Sequence, residues 1–190
     1  MVERLIFNPN ERPEQFTSVA EVRILSSYVT NNKPIENFGP FITKSEVRLS
    51  VLFAYNFAEI SALIKDLFNY EESEVERIGY DIRGFRSYEV AGLILGTIGA
   101  LEFHRIRKEI ITFNNGRARL ILEDLKGDKR DFILERGDGI WMPQFIFHTY
   151  ETLEDDTRLT VIANTLLDPS NPATADTYSR EVFESIKEKL

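Results

Sequence analysis

The part of the chain from Phe85 onward consists of short apolar runs separated by turn signals, and this pattern constrains the fold most strongly. The runs are 109–113, 117–122, 132–134, 140–142, 145–150 and 159–163. Gly116 and Gly137 stand in two of the intervening turns, next to asparagine or aspartate. Short apolar runs bounded by such residues are typical of strands. Five or six strands at this spacing predict an antiparallel sandwich or barrel, so the chain is expected to be mainly all-β.

The first 80 residues and the end of the chain predict elements that flank this barrel. Residues 22–29 and 47–53 have the pattern of extended segments. Asn56 and Glu59 form a capping-box pattern at the start of a helix, whose apolar face comprises Phe57, Ile60, Leu63, Ile64, Leu67 and Phe68. The acidic run 71–77 is either a linker or a solvated helix end. Asp176 is a plausible cap for a terminal amphipathic helix with apolar positions at Tyr178, Val182, Phe183, Ile186 and Leu190.

Composition narrows the class of protein. The chain has 190 residues and 43% hydrophobic residues, which suits one well-buried globular unit. Acidic residues outnumber basic ones by 31 to 23, so neither nucleic acid nor a membrane is expected as a partner. There is no cysteine, which excludes a disulfide framework and thiolate metal sites. The first residues contain no apolar run, so we expect a soluble, cytoplasmic protein.

The chain contains only two histidines, and both stand near glutamates at a regular spacing. Glu102 and His104 are two positions apart, so on a strand their side chains point to the same face. Glu109 begins the next predicted strand, and His148 comes from a later one. A small barrel would bring these four side chains to one interior point. Two imidazoles with one or two carboxylates are a typical site for a divalent Fe, Mn, Ni or Zn ion, and no organic cofactor is expected.

The wider spacing resembles the two motifs of the cupin superfamily, G-x5-H-x-H-x4-E-x6-G and G-x5-P-x-G-x2-H-x3-N. The matching positions are Gly96, Glu102, His104, Glu109, Gly116, Gly137, Pro143 and His148. Glu102 replaces the first histidine of the family pattern, Phe145 replaces a glycine and Thr152 replaces the closing asparagine. The resemblance implies a double-stranded β-helix, or jelly-roll barrel, in residues 81–170. Residues 1–80 are then an N-terminal strand and helix extension packed on the barrel, and residues 171–190 are a C-terminal helix.

The end of the predicted barrel resembles one subgroup of the cupin superfamily. Residues 159–172, followed by Asp176-Thr177-Tyr178, are similar to the tails of cupin domains in polysaccharide biosynthesis. These domains include nucleotide-sugar 3,4-ketoisomerases and the cupin halves of epimerases, so the resemblance implies an isomerase or epimerase that moves protons on a keto-sugar.

Such chemistry needs a base whose pKa lies near neutrality, and the residues are assigned accordingly. His104 is the candidate base, and Glu109 orients it or holds a metal. His148 is an acid or a further ligand, and Tyr150 is a candidate proton donor on the same face. Further candidates are basic side chains for a sugar-linked phosphate, Arg105, Arg107 and Lys108, and rings for stacking on a sugar or base, Trp141, Phe145 and Phe147.

Two other functions are compatible with the same residues. A metal-dependent oxygenase would use the two histidines with a carboxylate. A non-catalytic, small-molecule-binding cupin would explain Glu102 as the mark of a lost activity. The N-terminal third is expected to cover a sheet edge, and many cupins pair through such edges, so a homodimer is predicted.

Overall fold

The computed structural model describes residues 8–25, 41–42, 44, 48–49 and 57–190. The strands in this part of the chain are β1 (Arg23–Ile24), β2 (Phe41–Ile42), β3 (Arg48–Leu49), β4 (Arg83–Leu93), β5 (Ile98–Phe103), β6 (Glu109–Asn115), β7 (Arg117–Glu123), β8 (Lys129–Glu135), β9 (Gly139–Met142), β10 (Phe147–Thr152), β11 (Thr157–Thr165) and β12 (Tyr178–Ser179). The helices are α1 (Phe57–Phe68), α2 (Glu72–Ile78) and α3 (Arg180–Lys187), and 3-10 turns span Val19–Glu21 and Pro172–Thr174.

Two five-stranded antiparallel sheets form the body of the molecule. The first has the strand order β1-β9-β6-β11-β4, and the second has the order β12-β5-β10-β7-β8. Without β1 and β12, these are two interleaved four-stranded sheets, with β4, β6, β9 and β11 in one and β5, β7, β8 and β10 in the other. This strand order is that of a jelly roll, an architecture that includes the cupins. The predicted all-β jelly-roll barrel is therefore confirmed, and the short apolar runs of the sequence are its strands.

The main hydrophobic core lies between the two sheets. Along β7, Ala118, Leu120 and Leu122 have no exposed surface, whereas Arg117 and Arg119 point outward. This period of two is what a strand with one buried face requires. The other inner-face residues of the core include Ile111, Phe113, Ile140, Met142, Tyr150, Leu159 and Val161. Each fully buried side chain of this size contributes about 1.5–3 kcal/mol by leaving water.

Helices cover the outer faces of the sheets. Leu67 and Phe68 at the end of α1 pack on Trp141 of the first sheet. Phe183 of α3 packs with its ring centroid 5.2 Å from that of Phe103 and 5.4 Å from that of Phe147 on the second sheet. None of the helices in the described part of the chain is long and apolar enough to cross a membrane.

The predictions for the flanking elements have mixed outcomes. The helix expected from Phe57 to Phe68 is α1, but its predicted cap Asn56 lies outside the described residues, as do most of 26–29 and 47–53. The run 71–77 is not a linker, because it forms α2 and buries Val75. The terminal helix is present as α3, but Ser179 occupies its N-cap position. Asp176 is instead fully buried beside the candidate site, so its interpretation as a cap is corrected.

Candidate functional site

An irregularity in β5 turns the site residues inward. Glu102 pairs with His148, whereas Ala100 pairs with the next residue of β10, so Leu101 is an extra, unpaired residue. Ala100 and Leu101 have φ angles of 63° and 64°, in the left-handed region that non-glycine residues rarely adopt. Such a bulge reverses the inside-outside alternation of the strand that follows it. Leu101 is consequently exposed, and Glu102 and His104 face the interior.

The structure brings the four predicted side chains together between the sheets. Glu102 Oε1 lies 3.8 Å from His104 Nε2 and 3.9 Å from His148 Nε2. Glu109 Oε2 lies 3.6 Å and 3.8 Å from the same two nitrogen atoms. The centroids of the two imidazole rings are 5.2 Å apart. Both histidines and Glu109 are buried, and only Glu102 keeps a partly exposed carboxylate.

Backbone carbonyl groups fix the tautomer of each histidine. His104 Nδ1 lies 2.5 Å from the carbonyl oxygen of Asp176, and His148 Nδ1 lies 3.1 Å from that of Ile146. A carbonyl oxygen only accepts hydrogen bonds, so each Nδ1 carries the proton and donates it. In the uncharged form of each ring, Nε2 therefore directs its lone pair toward the centre of the cluster, where a base or a metal ligand is needed.

Arg107 supplies a permanent positive charge inside the cluster. Its Nη1 donates to Glu109 Oε1 at 3.0 Å and lies 3.4 Å from His104 Nε2. Its Nη2 donates to Thr177 Oγ1 at 3.1 Å. Its Nε is shielded from solvent and has no hydrogen-bond partner among the described residues. Only 5% of the Arg107 side chain is exposed, so its charge acts in a poorly solvated environment.

These surroundings set the protonation states of the site. Burial alone would raise the pKa of Glu109, but the neighbouring His104, Arg107 and His148 lower it well below the usual range of a glutamate. Arg107 is charged at every relevant pH, so Glu109 is ionised. Burial lowers the pKa of His148, and the nearby His104 lowers it further. His148 is therefore a neutral imidazole at neutral pH.

Two residues of β4 belong to the site and were missed by the sequence analysis. Tyr88 Oη donates to Glu109 Oε1 at 3.4 Å, and the guanidinium of Arg86 lies 5.6 Å from the centre of the Tyr88 ring. Burial and the charge of Glu109 raise the pKa of Tyr88, so its hydroxyl stays protonated. Residues 86, 88 and 90 do alternate at the period of a strand, but the pattern alone does not show which face is inside.

The donor set suits a divalent cation. One ligand atom from each of Glu102, His104 and His148 lies within 4.8 Å of the others, and both imidazoles are oriented by hydrogen bonds from Nδ1, as metal-bound histidines are. A metal bound by these residues would supply a Lewis acid beside Glu109. Arg107 Nη1, however, is 3.4 Å from the His104 nitrogen that such an ion needs.

The structure does not bring Arg105 to the site, which corrects its assignment to a substrate phosphate. Its guanidinium is fully buried and forms two 3.1 Å contacts with the carboxylate of Glu74 in α2. It also donates to the carbonyl oxygens of Pro9 and Glu11 at 2.9 and 2.6 Å. These contacts tie α2 and the N-terminal segment to the barrel.

Several other sequence candidates also lie elsewhere. Trp141 points to the outer face of its sheet, where its Nε1 donates to the carbonyl oxygen of Leu67 at 2.8 Å, so it cannot stack on an interior ligand. Lys108 donates to Asn69 beside α1. The two phenylalanines, Phe145 and Phe147, pack in the cluster under α3.

Tyr150 lies on the inner face of β10, as predicted. Its ring covers Gly99, where a Cβ atom would be 2.2 Å from the ring and the hydroxyl oxygen. Burial and the charge of Glu102 raise the pKa of Tyr150, so its phenol is protonated at neutral pH.

Comparisons with known proteins give structural matches alone. No family model and no curated protein matches the sequence. A TDP-fucose-3,4-ketoisomerase from Campylobacter jejuni matches with a TM-score of 0.47 and 19% identity, over 59% of this chain and 78% of that protein. A 3,4-ketoisomerase from Helicobacter canadensis matches with a TM-score of 0.46 and 14% identity, over 60% and 80% of the two chains. A dTDP-4-dehydrorhamnose 3,5-epimerase from Bacillus anthracis matches with a TM-score of 0.44 and 17% identity, over 58% and 66%.

The fold assignment itself rests on the strand order and register of this chain. By these criteria the molecule is a jelly-roll barrel with a buried cluster of histidine, glutamate and arginine between its sheets.

Proposed function

We propose that this protein is an isomerase or epimerase that transfers protons on a nucleotide-linked keto-sugar. The observation that carries the proposal is the pair of imidazoles whose Nδ1 atoms are held by backbone carbonyl groups and whose Nε2 atoms face one point inside the barrel. The substrate class follows the sequence resemblance. A small-molecule substrate in a cytoplasmic enzyme also agrees with the acidic, cysteine-free composition.

His104 is the proposed base for the first step. Its Nε2 removes the proton from the carbon next to the ketone, and the electrons of the broken C–H bond form an enolate. Negative charge then develops on the former ketone oxygen, and the guanidinium of Arg107, 3.4 Å from Nε2, is placed to stabilise it. Tyr88 donates its single hydroxyl proton to Glu109 and so helps to hold that carboxylate beside the base.

The second step returns a proton to carbon. In an epimerisation the enolate takes a proton on its other face, and Tyr150 is the proposed donor because its ring lies on the inner face of β10 and its raised pKa keeps the hydroxyl protonated. In a ketone shift the neighbouring hydroxyl also loses a proton, which passes to the former ketone oxygen. His148 suits this transfer because its lowered pKa keeps it neutral and able to accept a proton.

Exchange of substrate hydrogen with solvent tests the proposal directly. The protein is incubated in deuterated buffer with a panel of keto-sugar nucleotides, with and without added Fe(II), Mn(II), Ni(II) or Zn(II). We expect a solvent deuteron at the carbon next to the ketone, and a loss of at least about 100-fold in this rate for His104→Asn. Absence of exchange with every member of the panel, both with and without metal, would contradict the proposal. It would favour a non-catalytic protein that binds a small molecule.

A metal-dependent oxygenase is the second candidate, and the three converging ligand atoms of Glu102, His104 and His148 favour it. It predicts that protein purified without a chelator or a histidine tag contains iron and consumes oxygen. Elemental analysis and oxygen uptake with added Fe(II) measure this. Full proton exchange in the chelated, metal-free protein would exclude an obligatory metal in the isomerase.

A further inference from the structure

We infer that Asp176 is a positioning residue, which holds the loop carrying His104 and Arg107 in its active geometry. Asp176 Oδ1 accepts the backbone N–H of Arg105 at 3.1 Å. Its Oδ2 accepts the backbone N–H groups of Ile106 and Arg107 at 2.8 and 2.6 Å. One fully buried carboxylate therefore fixes three consecutive residues of the loop between β5 and β6.

The same short segment also orients the two reactive groups on that loop. The carbonyl oxygen of Asp176 accepts the Nδ1 proton of His104 at 2.5 Å, which sets the tautomer of the proposed base. The next residue, Thr177, accepts from Arg107 Nη2 at 3.1 Å. The base and the cation are thus both held by one segment, residues 176–177, which is about 70 positions further along the chain.

Packing around β12 and α3 holds this support in place. Tyr178 and Ser179 pair with Phe103 and Glu102, respectively, as an edge strand on β5. Phe183 of α3 is completely buried against the outer face of the same sheet. The position of Asp176 is therefore determined by the sheet that carries Glu102 and leads into His104.

Replacing the carboxylate by an amide isolates this role. Asp176→Asn keeps the size of the side chain but removes its charge, and one of the two carboxylate oxygens that accept these backbone N–H groups becomes an NH2 group, which cannot accept them. The loop is expected to shift away from the Asp176 carbonyl group, and the His104 ring then loses its fixed tautomer.

The chain offers a matched control in Asp124. This carboxylate is also fully buried and also accepts three backbone N–H groups, from Val19, Lys126 and Asp128 at 3.0, 3.0 and 3.1 Å. It lies at the end of β7 and contacts no residue of the His104 cluster in the described structure. Asp124→Asn therefore reproduces the loss of a buried charge without touching the site.

The experiment is nitrogen-15 NMR of the histidine side chains in protein dialysed against EDTA. The chain has only two histidines, so the spectrum contains two rings. In the unmodified protein both rings should carry a proton on Nδ1, because each Nδ1 donates to a backbone carbonyl oxygen. Asp176→Asn should shift the Nδ1 and Nε2 signals of His104 toward a mixture of tautomers, whereas Asp124→Asn should leave them unchanged. The deuterium exchange assay is the second measurement. In this assay Asp176→Asn should lower kcat by about 10–100-fold with a smaller change in KM.

Two outcomes would overturn the inference: unchanged His104 signals in folded Asp176→Asn, or equal shifts in both asparagine variants. Thr177→Val is a second variant that tests the same segment if Asp176→Asn does not fold. It removes the acceptor of Arg107 Nη2 but leaves the His104 contact intact, so kcat should fall while the His104 tautomer is retained. A kcat equal to that of the unmodified protein would count against the inference. The kinetic arm rests on the proposed function, but the NMR arm needs no substrate, so failure of one is distinguishable from failure of the other.

Discussion

At the scale of single residues, two neighbouring buried arginines form ion pairs in different parts of the molecule. Arg105 and Arg107 are two positions apart in one loop, and both guanidiniums are buried. Arg105 is paired with Glu74 and serves the packing of α2, whereas Arg107 is paired with Glu109 inside the cluster. The sequence assigned both arginines to a substrate phosphate, but the structure places only Arg107 in the cluster, because the direction of each side chain depends on contacts that are distant in the chain.

The charge of Arg107 predicts that this site binds divalent metal weakly. A unit charge about 4 Å from another contributes about 4 kcal/mol at an effective dielectric constant of 20, and Arg107 Nη1 is 3.4 Å from a required ligand atom. Removing this charge in Arg107→Gln should raise the affinity for Co(II) more than tenfold, measured by titration of the Co(II) absorption bands. Arg119→Gln, which alters an exposed ion pair with Asp131, is the control and should change nothing. Equal affinities in all three proteins would show that Arg107 does not oppose the ion.

The lowered pKa of His148 predicts that the protein loses stability in mild acid. In the unfolded chain this imidazole takes up a proton as the pH falls through about 6.5, whereas the buried imidazole stays neutral to a lower pH. The unfolded state then binds more protons, so the free energy of unfolding decreases between pH 7.5 and 5.5. Urea unfolding at the two pH values measures the decrease, and His148→Gln should reduce it. A decrease of the same size in His148→Gln would assign it to other groups.

At the scale of elements, the turn signals predicted the strands well because each glycine and asparagine marks a local backbone requirement. The runs 109–113, 117–122 and 159–163 are the centres of β6, β7 and β11. The bulge in β5 could not be predicted, because nothing in an alanine-leucine pair signals a positive φ. The contacts of Asp176 were missed for a similar reason, since an aspartate before a helix resembles a cap until the N–H groups that donate to its carboxylate are known.

The positive φ angle at the bulge should lower the free energy of unfolding. Leu101 is exposed and has a φ of 64°, which costs a residue with a Cβ atom about 1–2 kcal/mol. Ile98 on the same strand is also exposed but is not among the residues with positive φ. Leu101→Gly should therefore have a free energy of unfolding at least about 1 kcal/mol higher than Ile98→Gly. Equal values in thermal or urea unfolding would show that the bulge is unstrained.

At the scale of the whole molecule, the two sheets close over the site but leave a long edge. β4 spans 11 residues and pairs on one side with β11, and no strand in the described part of the chain pairs with its other side. Phe85 on this strand is 56% exposed. A strand edge of this length with no partner among the described residues is a candidate surface for pairing with another chain, so the homodimer predicted from the sequence can be tested there.

This edge gives a direct test of the homodimer. Light scattering coupled to size-exclusion chromatography should give twice the monomer mass, and Phe85→Lys should lower the mass toward that of the monomer. Ile133→Lys places the same charge at a 60% exposed position on β8, the edge strand of the second sheet, and should leave the dimer intact. The interface on β4 would be contradicted if the unmodified protein were a monomer. It would also be contradicted if Phe85→Lys and Ile133→Lys lowered the mass equally.

The link between His104 and Asp176 spans 72 positions of the chain. During translation, the strands of the barrel emerge and begin to fold well before the residue that sets the imidazole tautomer has been synthesised. A nascent chain can therefore hold a nearly complete barrel whose histidine still lacks its acceptor. The proposed proton-transfer activity should then arise only after Asp176 has been added to the chain, so the order of the sequence delays this chemistry until the strands of the barrel have been synthesised.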